Sequence, residues 1–404
     1  MSDQNSNNNC DAFAKAYAFK RADEAAAIGM HPYFMPIAEQ HGGTVKVRGR
    51  DLVILGSNDY LGLTQDKRVK EAARGALQNF GTSCTGSRFL TGTLDLHEEI
   101  EIRLAKFFHK ESVLTFSAGY LGCLSVIAAL AGRKDVLYYD RENHSSLYDG
   151  AKLSFAKLRK FDHNNLEQLE MLLKKDHGKN LGKIIVSDGV FSMSGHIADL
   201  PNLVKLAKKY NARLVLDDAH AAGVLGPNGE GTAAHFGLED EVDLIVGTFS
   251  KSFASVGGFV AGKREVVSYI KHMARPFIFT AALPSMQMAA ALEALNIIEN
   301  EPEHKEKLWH NVERYQSGML ELGFNIMGTQ TPIVPVFIGE DDAALMFWKM
   351  LWEENIFTTP AMSPAVPKGQ SIIRTSVNAN HSGEQIDQVL TAFAKVGKKL
   401  GIIS

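Results

Sequence analysis

Cysteine is scarce in this chain. Its 404 residues include three, Cys10, Cys84 and Cys123, too far apart for a disulfide framework or a metal-binding pair. That scarcity fits a reducing compartment, so a cytoplasmic protein is expected. An excess of charge is lacking too. The formal net charge of -3 removes the general attraction that nucleic acid and other polyanions require. No apolar run approaches the length of about 18 residues that a spanning helix needs. The longest candidate, residues 121–131, is already interrupted by Gly122 and Ser125. Peripheral contact with the inner membrane is compatible with all of this. The N-terminal MSDQNSNNNCDAF has neither the basic nor the apolar segment of a secretory signal, and it reads as a disordered lead-in.

What is present is ordinary for a globular protein: 45% apolar and 22% charged residues. The length predicts one large domain and one smaller one. Residues 1–56 read as a tail, a helix (12–27) and two short strands (44–48 and 51–55) turning at Gly49 and Arg50. Residues 57–283 read as the large domain, in which strands alternate with helices. This pattern predicts an α/β fold with a mostly parallel sheet of the seven-stranded type and right-handed crossovers. Residues 284–404 read as a smaller α+β domain, with helices at 285–300, up to 322, 343–354 and 382–398, and strands near 324–327 and 333–337.

The stretch VDLIVGTFSKSFASVGG, residues 242–258, organises the rest. Its apolar, partly β-branched start suits a strand buried on both faces, and it breaks at Gly247 into Thr248-Phe249-Ser250-Lys251. Lys251 is thus expected just beyond the carboxyl end of a central strand, where open α/β sheets bind ligands. With hydroxyls around it and the flexible glycines Gly257 and Gly258 behind, it is placed to form a Schiff base with a carbonyl cofactor while Thr248 meets a phosphate. The segment alone equally describes a solvated lysine in a Ser-rich loop. The other strands weigh against that. His144, Ser192, Asp217 and His220 each follow a predicted strand by a few residues, so one sheet edge collects them with Lys251. Ser117 is a candidate N-cap for a helix whose first N–H groups, at Gly119 and Tyr120, would face an anion. The HEEIE sequence at His97 lacks the spacing of a zinc helix, and no metal is expected.

A Schiff-base lysine, an aspartate at the sheet edge, an imidazole ring and a helix start are the parts that hold pyridoxal 5'-phosphate. The motifs SNDYLGL, GTLDLHEEIE, SAGYLG, NHSSLYDG, DGVFSMSG, LDDAHAAGVLG and GTFSKS, in this order and followed by IIRTSVNANHS, resemble the α-oxoamine synthases. These are fold-type I pyridoxal phosphate enzymes that condense an amino acid with an acyl-CoA and release carbon dioxide and CoA. The resemblance implies Lys251 as the Schiff-base lysine, Asp217 as partner of the pyridinium nitrogen and His144 as the ring-stacking residue. It implies Ser192 and His220 at the ring oxygen, and Gly119, Tyr120 and Thr248 at the phosphate. In this family a second subunit completes the phosphate site, and the matching residue is Thr280, so a homodimer with a shared active site is expected. Arg374 would hold the substrate carboxylate with Asn58 beside it. Ser194 departs from the pattern, since many relatives carry aspartate there.

Within the family, TFSKSFASVGGFVAG and ARPFIFTAALP are most similar to the bacterial branch that joins L-serine to a long-chain acyl-CoA. The implied product is 3-ketodihydrosphingosine, the first intermediate of sphingolipids. Other branches use alanine with a pimeloyl thioester, glycine with acetyl-CoA, or a medium-chain acyl-CoA in autoinducer synthesis. A catalytically silent paralogue would lack the lysine or the aspartate, and both are here. Phe279, Leu283, Met286, Met288 and Met362 are candidates for an acyl groove, although residues of this kind more often fill a core. The loop 360–367, rich in proline, is a candidate lid.

Overall fold

The computed structural model describes residues 11–404, so Cys10 and most of the N-terminal lead-in lie outside the described residues. The single helix expected over 12–27 is instead two short ones, Ala14–Tyr17 and Arg21–Ala27, neither of which buries a residue. With no apolar face to pack, helical propensity alone does not carry the chain through Ala18, Phe19 and Lys20. Three strands follow, β1 (Ile37–His41), β2 (Thr44–Val47) and β3 (Arg50–Ile54), paired antiparallel. The β2–β3 turn is Arg48-Gly49, with φ of 50° and 76°, one residue earlier than the glycine alone suggested.

Seven strands form the central sheet: β4 (Ser112–Phe116), β5 (Asp135–Asp140), β6 (Lys157–Phe161), β7 (Gly182–Asp188), β8 (Arg213–Asp217), β9 (Leu244–Thr248) and β10 (Gly258–Gly262). Their order is β4-β10-β9-β8-β7-β5-β6, and β10 alone runs antiparallel to its neighbours. Alternate side chains enter two separate cores, as the period of two requires. Leu137, Tyr139, Val186, Val215 and Val246 go to one face, where the Gly119–Leu130, Ser145–Ser154 and Arg264–Met273 helices cover them. Val136, Tyr138, Ile185, Leu216 and Ile245 go to the other, against the Leu200–Tyr210 helix and the last third of the chain. The outer strand β6 carries Lys157, Arg159 and Lys160, charges that suit an edge.

Two of these elements differ from expectation. The Ser145–Ser154 helix, started by the His144 side chain, is unexpected from a stretch with Ser, Gly and Asp but little apolar periodicity. The supposedly flexible Gly257-Gly258 leads directly into β10, which is hydrogen-bonded on both sides. Gly258 is there because a Cβ would lie 2.5 Å from the Cα of Gly119. The strand and the start of the Gly119–Leu130 helix meet backbone to backbone.

The rest of the chain closes over this sheet. The Ser285–Asn300 helix lies on the Lys67–Phe80 and Asp95–Phe107 helices. A small antiparallel sheet has the order β11-β14-β13, from β11 (Ile333–Gly339), β13 (Thr359–Ala361) and β14 (Ser371–Ser376). Between them β12 (Ile356–Phe357) pairs parallel with β3, joining the N-terminal strands to the C-terminal part. Residues 324–327 form no strand; Met327 has a φ of 58°, which a strand cannot contain. The Gly383–Lys399 helix opens on a reciprocal Ser382/Gln385 capping box.

The backbone contact at Gly258 and the open space at Gly75 give opposite expectations. Gly258→Ala forces apart β10 and the helix and should cost about 1–3 kcal/mol. Gly75→Ala, inside the Lys67–Phe80 helix with nothing within 4 Å, should stabilise by about 0.5–1 kcal/mol. Urea denaturation of both variants checks the pair.

Candidate active site

The parallel strands β5, β7, β8 and β9 end at Asp140, Asp188, Asp217 and Thr248, and their carboxyl ends share one edge. There a cavity of about 290 Å³ is lined by Gly119, His144, Asp188, Asp217, His220 and Lys251, among others. Lys251 sits in the loop from β9 to β10, which is not loose. Phe249 and Phe253 are fully buried and pack on Phe259 of β10, with ring centroids 5.7 and 6.4 Å away. Phe249 and Gly257 are joined N–H to carbonyl at 3.0 Å, and Ala254 N–H returns to the Lys251 carbonyl at 3.0 Å. Two buried aromatic anchors thus hold a Ser-rich loop that would otherwise be mobile.

Burial pushes the Lys251 ammonium pKa down, with Arg374 adding to the effect and Asp217, Cys123 and Asp188 opposing it. The net shift is downward, which favours a free amine. Asp217 is 4% exposed. Its Oδ1 accepts the Ala219 N–H at 3.0 Å and its Oδ2 accepts the Cys123 thiol at 3.2 Å. Asp188, its neighbour in register on β7, accepts the His144 N–H with both carboxylate oxygens at 3.2 Å. Burial and then the charge of Asp217 push the Asp188 carboxyl well above its ordinary range. Neither Cys123 nor Asp188 stood out in the sequence. The only signals were the first turn of a helix and the end of an apolar strand.

His144 caps its helix with Nδ1, which accepts the Ser146 N–H at 3.3 Å and lies 2.7 Å from the Ser146 hydroxyl. Nδ1 is therefore unprotonated and the ring hydrogen is on Nε2. Burial of its inner side lowers its pKa, as does Lys251, against Asp217, so a neutral ring borders the cavity. His220 is also held neutral, first by burial and then by Lys251 and Arg374. Its Nδ1 lies 2.6 Å from the Tyr60 hydroxyl, which burial pushes up to about 12. The Tyr60 hydroxyl is 3.4 Å from Asn58 Oδ1, and that oxygen accepts Arg374 Nη2–H at 3.0 Å.

The helix start fits an anion. Gly119 and Tyr120 have no intrahelical partners for their N–H groups, and a Cβ on Gly119 would lie 2.7 Å from the Thr248 side chain. The helix begins after Ala118, not at a Ser117 cap, and has no side-chain cap. An extended Ala118 leaves those donors open. Thr248 Oγ1 lies 2.9 Å from the Gly257 carbonyl and 2.8 Å from Ser250 Oγ, so its proton already has protein acceptors. Ser250, exposed on the same wall, adds a hydroxyl.

The Ser192 carbonyl accepts Arg374 Nε–H at 2.8 Å, a backbone contact the sequence did not show. One expectation changes. Leu283 and Met288 are buried core residues, 2% and 0% exposed, and cannot line an acyl groove in this chain. Thr280 lines a separate small pocket with Ser117, Leu121 and Phe277, and its neighbour Phe279 is 75% exposed. Among the described residues, no three His, Cys, Asp or Glu side chains are grouped to hold a metal ion.

A heteroaromatic aldehyde bearing a phosphate fits these donors: an amine of lowered pKa, a buried carboxylate, two neutral imidazoles and a bare helix N-terminus. The comparisons agree with that chemistry. The model of the family described as aminotransferase class I and II matches residues 50–393. The serine palmitoyltransferase of Bacteriovorax stolpii is 44% identical, covering 98% of this chain and 95% of that protein. The 8-amino-7-oxononanoate synthase of Thermoanaerobacter pseudethanolicus is 41% identical, over 95% of this chain and 97% of that protein. A solved serine palmitoyltransferase with a pyridoxal phosphate internal aldimine superposes with a TM-score of 0.93 at 34% identity, covering 97% of this chain and 98% of that one. The chain belongs to the class I and II aminotransferase family and, within it, to the α-oxoamine synthases, with the fold-type I transferase fold.

Burial and the nearby Asp217 charge push the Cys123 thiol well above its ordinary range. Native protein at about pH 8, near the ordinary thiol pKa, should therefore leave Cys123 unmodified by iodoacetamide and react there only after unfolding. Peptide mass spectrometry reads the difference.

Proposed function

We propose that this α-oxoamine synthase condenses L-serine with palmitoyl-CoA, giving 3-ketodihydrosphingosine, CoA and carbon dioxide. The protein is a pyridoxal-phosphate-dependent acyltransferase by family. When bound, the cofactor supplies an electron sink for the carbanion left at the substrate α-carbon. Lys251 would be its covalent tether, Asp217 the partner of its ring nitrogen and His144 the ring beside it. His220, held by Tyr60, meets the ring oxygen. Gly119 and Tyr120 would bind the phosphate, Thr248 would join them by turning its hydroxyl away from the Gly257 carbonyl, and Thr280 of a second subunit would complete that site. The exposure of Phe279, Phe89 and Leu90 supports a homodimer.

Each residue has chemistry suited to its role. Asp217, fixed through both oxygens, keeps a nearby ring nitrogen protonated. The Lys251 amine, its pKa lowered by burial, would move a proton at the substrate α-carbon. Arg374 donates to Ser192 O, Ser376 Oγ and Asn58 Oδ1. Those contacts use three of its five N–H groups and leave one on each terminal nitrogen, the pair that a carboxylate takes.

The likeness to serine palmitoyltransferases over nearly the whole chain carries the choice of serine and a long acyl chain. The oxononanoate synthase relative supports a second reading, with alanine and a pimeloyl thioester. A reducing cytoplasm suits either reaction. The described residues include no helix long and apolar enough to cross a membrane.

The test is the absorbance of the purified holoenzyme titrated with L-serine, glycine and L-alanine. A saturable change with serine alone, then CoA release on adding palmitoyl-CoA, is the expected result. Saturation by alanine alone would move the assignment to the second reading. Arg374→Lys should raise the KM for serine roughly 10–100-fold, the worth of a charged hydrogen bond, with a smaller change in kcat.

A further inference from the structure

We propose that His163 and His196 share one proton that holds the turn 191–196 in place, and that through Ser192 this pair positions Arg374 and makes amino-acid binding pH-dependent. The inference rests on the reading of Arg374 as the carboxylate site. His163 follows β6, and His196 ends the turn after β7. His163 Nδ1 is 3.2 Å from Oδ1 of the buried Asp140, and His163 Nε2 is 3.0 Å from His196 Nδ1. His196 Nε2 is 2.8 Å from the carbonyl oxygen of Met327. The two ring planes are 13° apart with centroids separated by 5.2 Å, the edge-to-edge arrangement an N–H···N contact requires.

Both ends of this row, a carboxylate and a carbonyl, are acceptors. Each of the three contacts needs a proton, and two neutral imidazoles bring one apiece. A third proton therefore completes the row. Without it, one contact sets lone pair against lone pair and the row opens at that point.

The surroundings favour that proton. Glu142 lies 3.6 Å from His163 Nε2, and the nearby cation Arg141 is turned to Asp162 at 3.0 Å. Asp140 also accepts the N–H groups of Glu142 and Asn164, at 2.9 and 2.8 Å. Asn164 Nδ2 approaches His163 Nε2 at 3.4 Å, and the Phe191 ring meets His163 edge-on at 4.3 Å. From the segment before β11, the group facing His196 is the Met327 carbonyl. Burial lowers the His163 pKa, but Asp140 and then Glu142 more than reverse this, so it stands above its ordinary value. The proton is thus fully held below about pH 6.5 and lost as the pH rises through the raised pKa.

The row reaches the site through the turn. Phe191 N–H bonds the His196 carbonyl at 3.0 Å, and Gly195 N–H bonds the Phe191 carbonyl at 2.9 Å. The Thr331 hydroxyl donates to the Gly195 carbonyl at 2.9 Å, and the Thr329 hydroxyl, which donates to the Ile333 carbonyl at 2.7 Å, lies 3.2 Å from the same Gly195 oxygen. Ser192, between these ties, offers its carbonyl to Arg374. His196 is a positioning residue: it touches neither substrate nor cofactor.

The test is NMR titration of the holoenzyme with ¹⁵N-labelled histidine, alongside L-serine binding read by absorbance over the same pH range. His163 should titrate with a midpoint above about 6.5, and a hydrogen-bond coupling between its Nε2 and His196 Nδ1 should be present below that midpoint and lost above it. Serine affinity should weaken about fivefold through that midpoint, the equivalent of one net hydrogen bond. In His196→Gln the amide NH₂ donates to both His163 and Met327, so no third proton is needed and serine affinity should lose this pH dependence. His163→Gln, whose amide also donates both ways, is the second variant with the same expectation. A His163 midpoint at or below the free value, no coupling to His196 at any pH, or a pH dependence that survives in both variants, overturns the proposal. If no pH gives a serine response, the substrate reading fails instead, and the His163 midpoint with its coupling to His196 decides the shared proton independently.

Discussion

A carboxylate taken out of water must be compensated, and at Asp217 that requirement organises the site. It ends β8, a strand with neighbours on both sides, so no bulk water reaches it from the sheet. Compensation comes from the Ala219 N–H, the Cys123 thiol and the Lys251 amine nearby. Asp188 stands next to it in register and cannot carry a second full charge as easily, so its carboxyl pKa rises. The charges of the site are thus set by strand order as much as by residue type. Moving either strand one place would separate the two carboxylates.

A second dependence is mechanical. The antiparallel strand β10 slots between β4 and β9 and ends the loop that carries Lys251. Its first residue touches the start of the Gly119–Leu130 helix through backbone atoms alone. Lysine and helix N-terminus are therefore spaced by a contact that has no side chain to adjust. From the other side, Arg374 on β14 reaches Ser192 and Asn58, tying the C-terminal sheet to the cavity rim. Amino-acid binding and the packing of the last third of the chain are coupled through that one guanidinium.

Much of this was legible in the residues. Apolar β-branched runs ending in Asp, His or Lys marked the strands and their shared edge, because strands buried on both faces leave no room for polar residues except at their ends. The order of the motifs identified the family, its cofactor chemistry and Lys251, Asp217, His144 and His220 as a set. The Leu200–Tyr210 and Ser285–Asn300 helices fell where their apolar periodicity put them. Periodicity failed where helices were short or unpartnered, as over residues 12–27, and where the fold used glycine as a spacer, as in β10.

Sequence by itself thus determined the fold class and the type of chemistry, since both follow from local pattern and residue identity. Only tertiary structure decided that the Ser192 carbonyl meets Arg374, that Met288 and Leu283 belong to the core, and that Cys123 donates to Asp217. It also decided that His163, Asp140 and His196 stand in one hydrogen-bonded row. Each of these is a meeting of residues distant in the chain, and hydrogen-bond direction and burial are properties of the meeting, not of either partner alone.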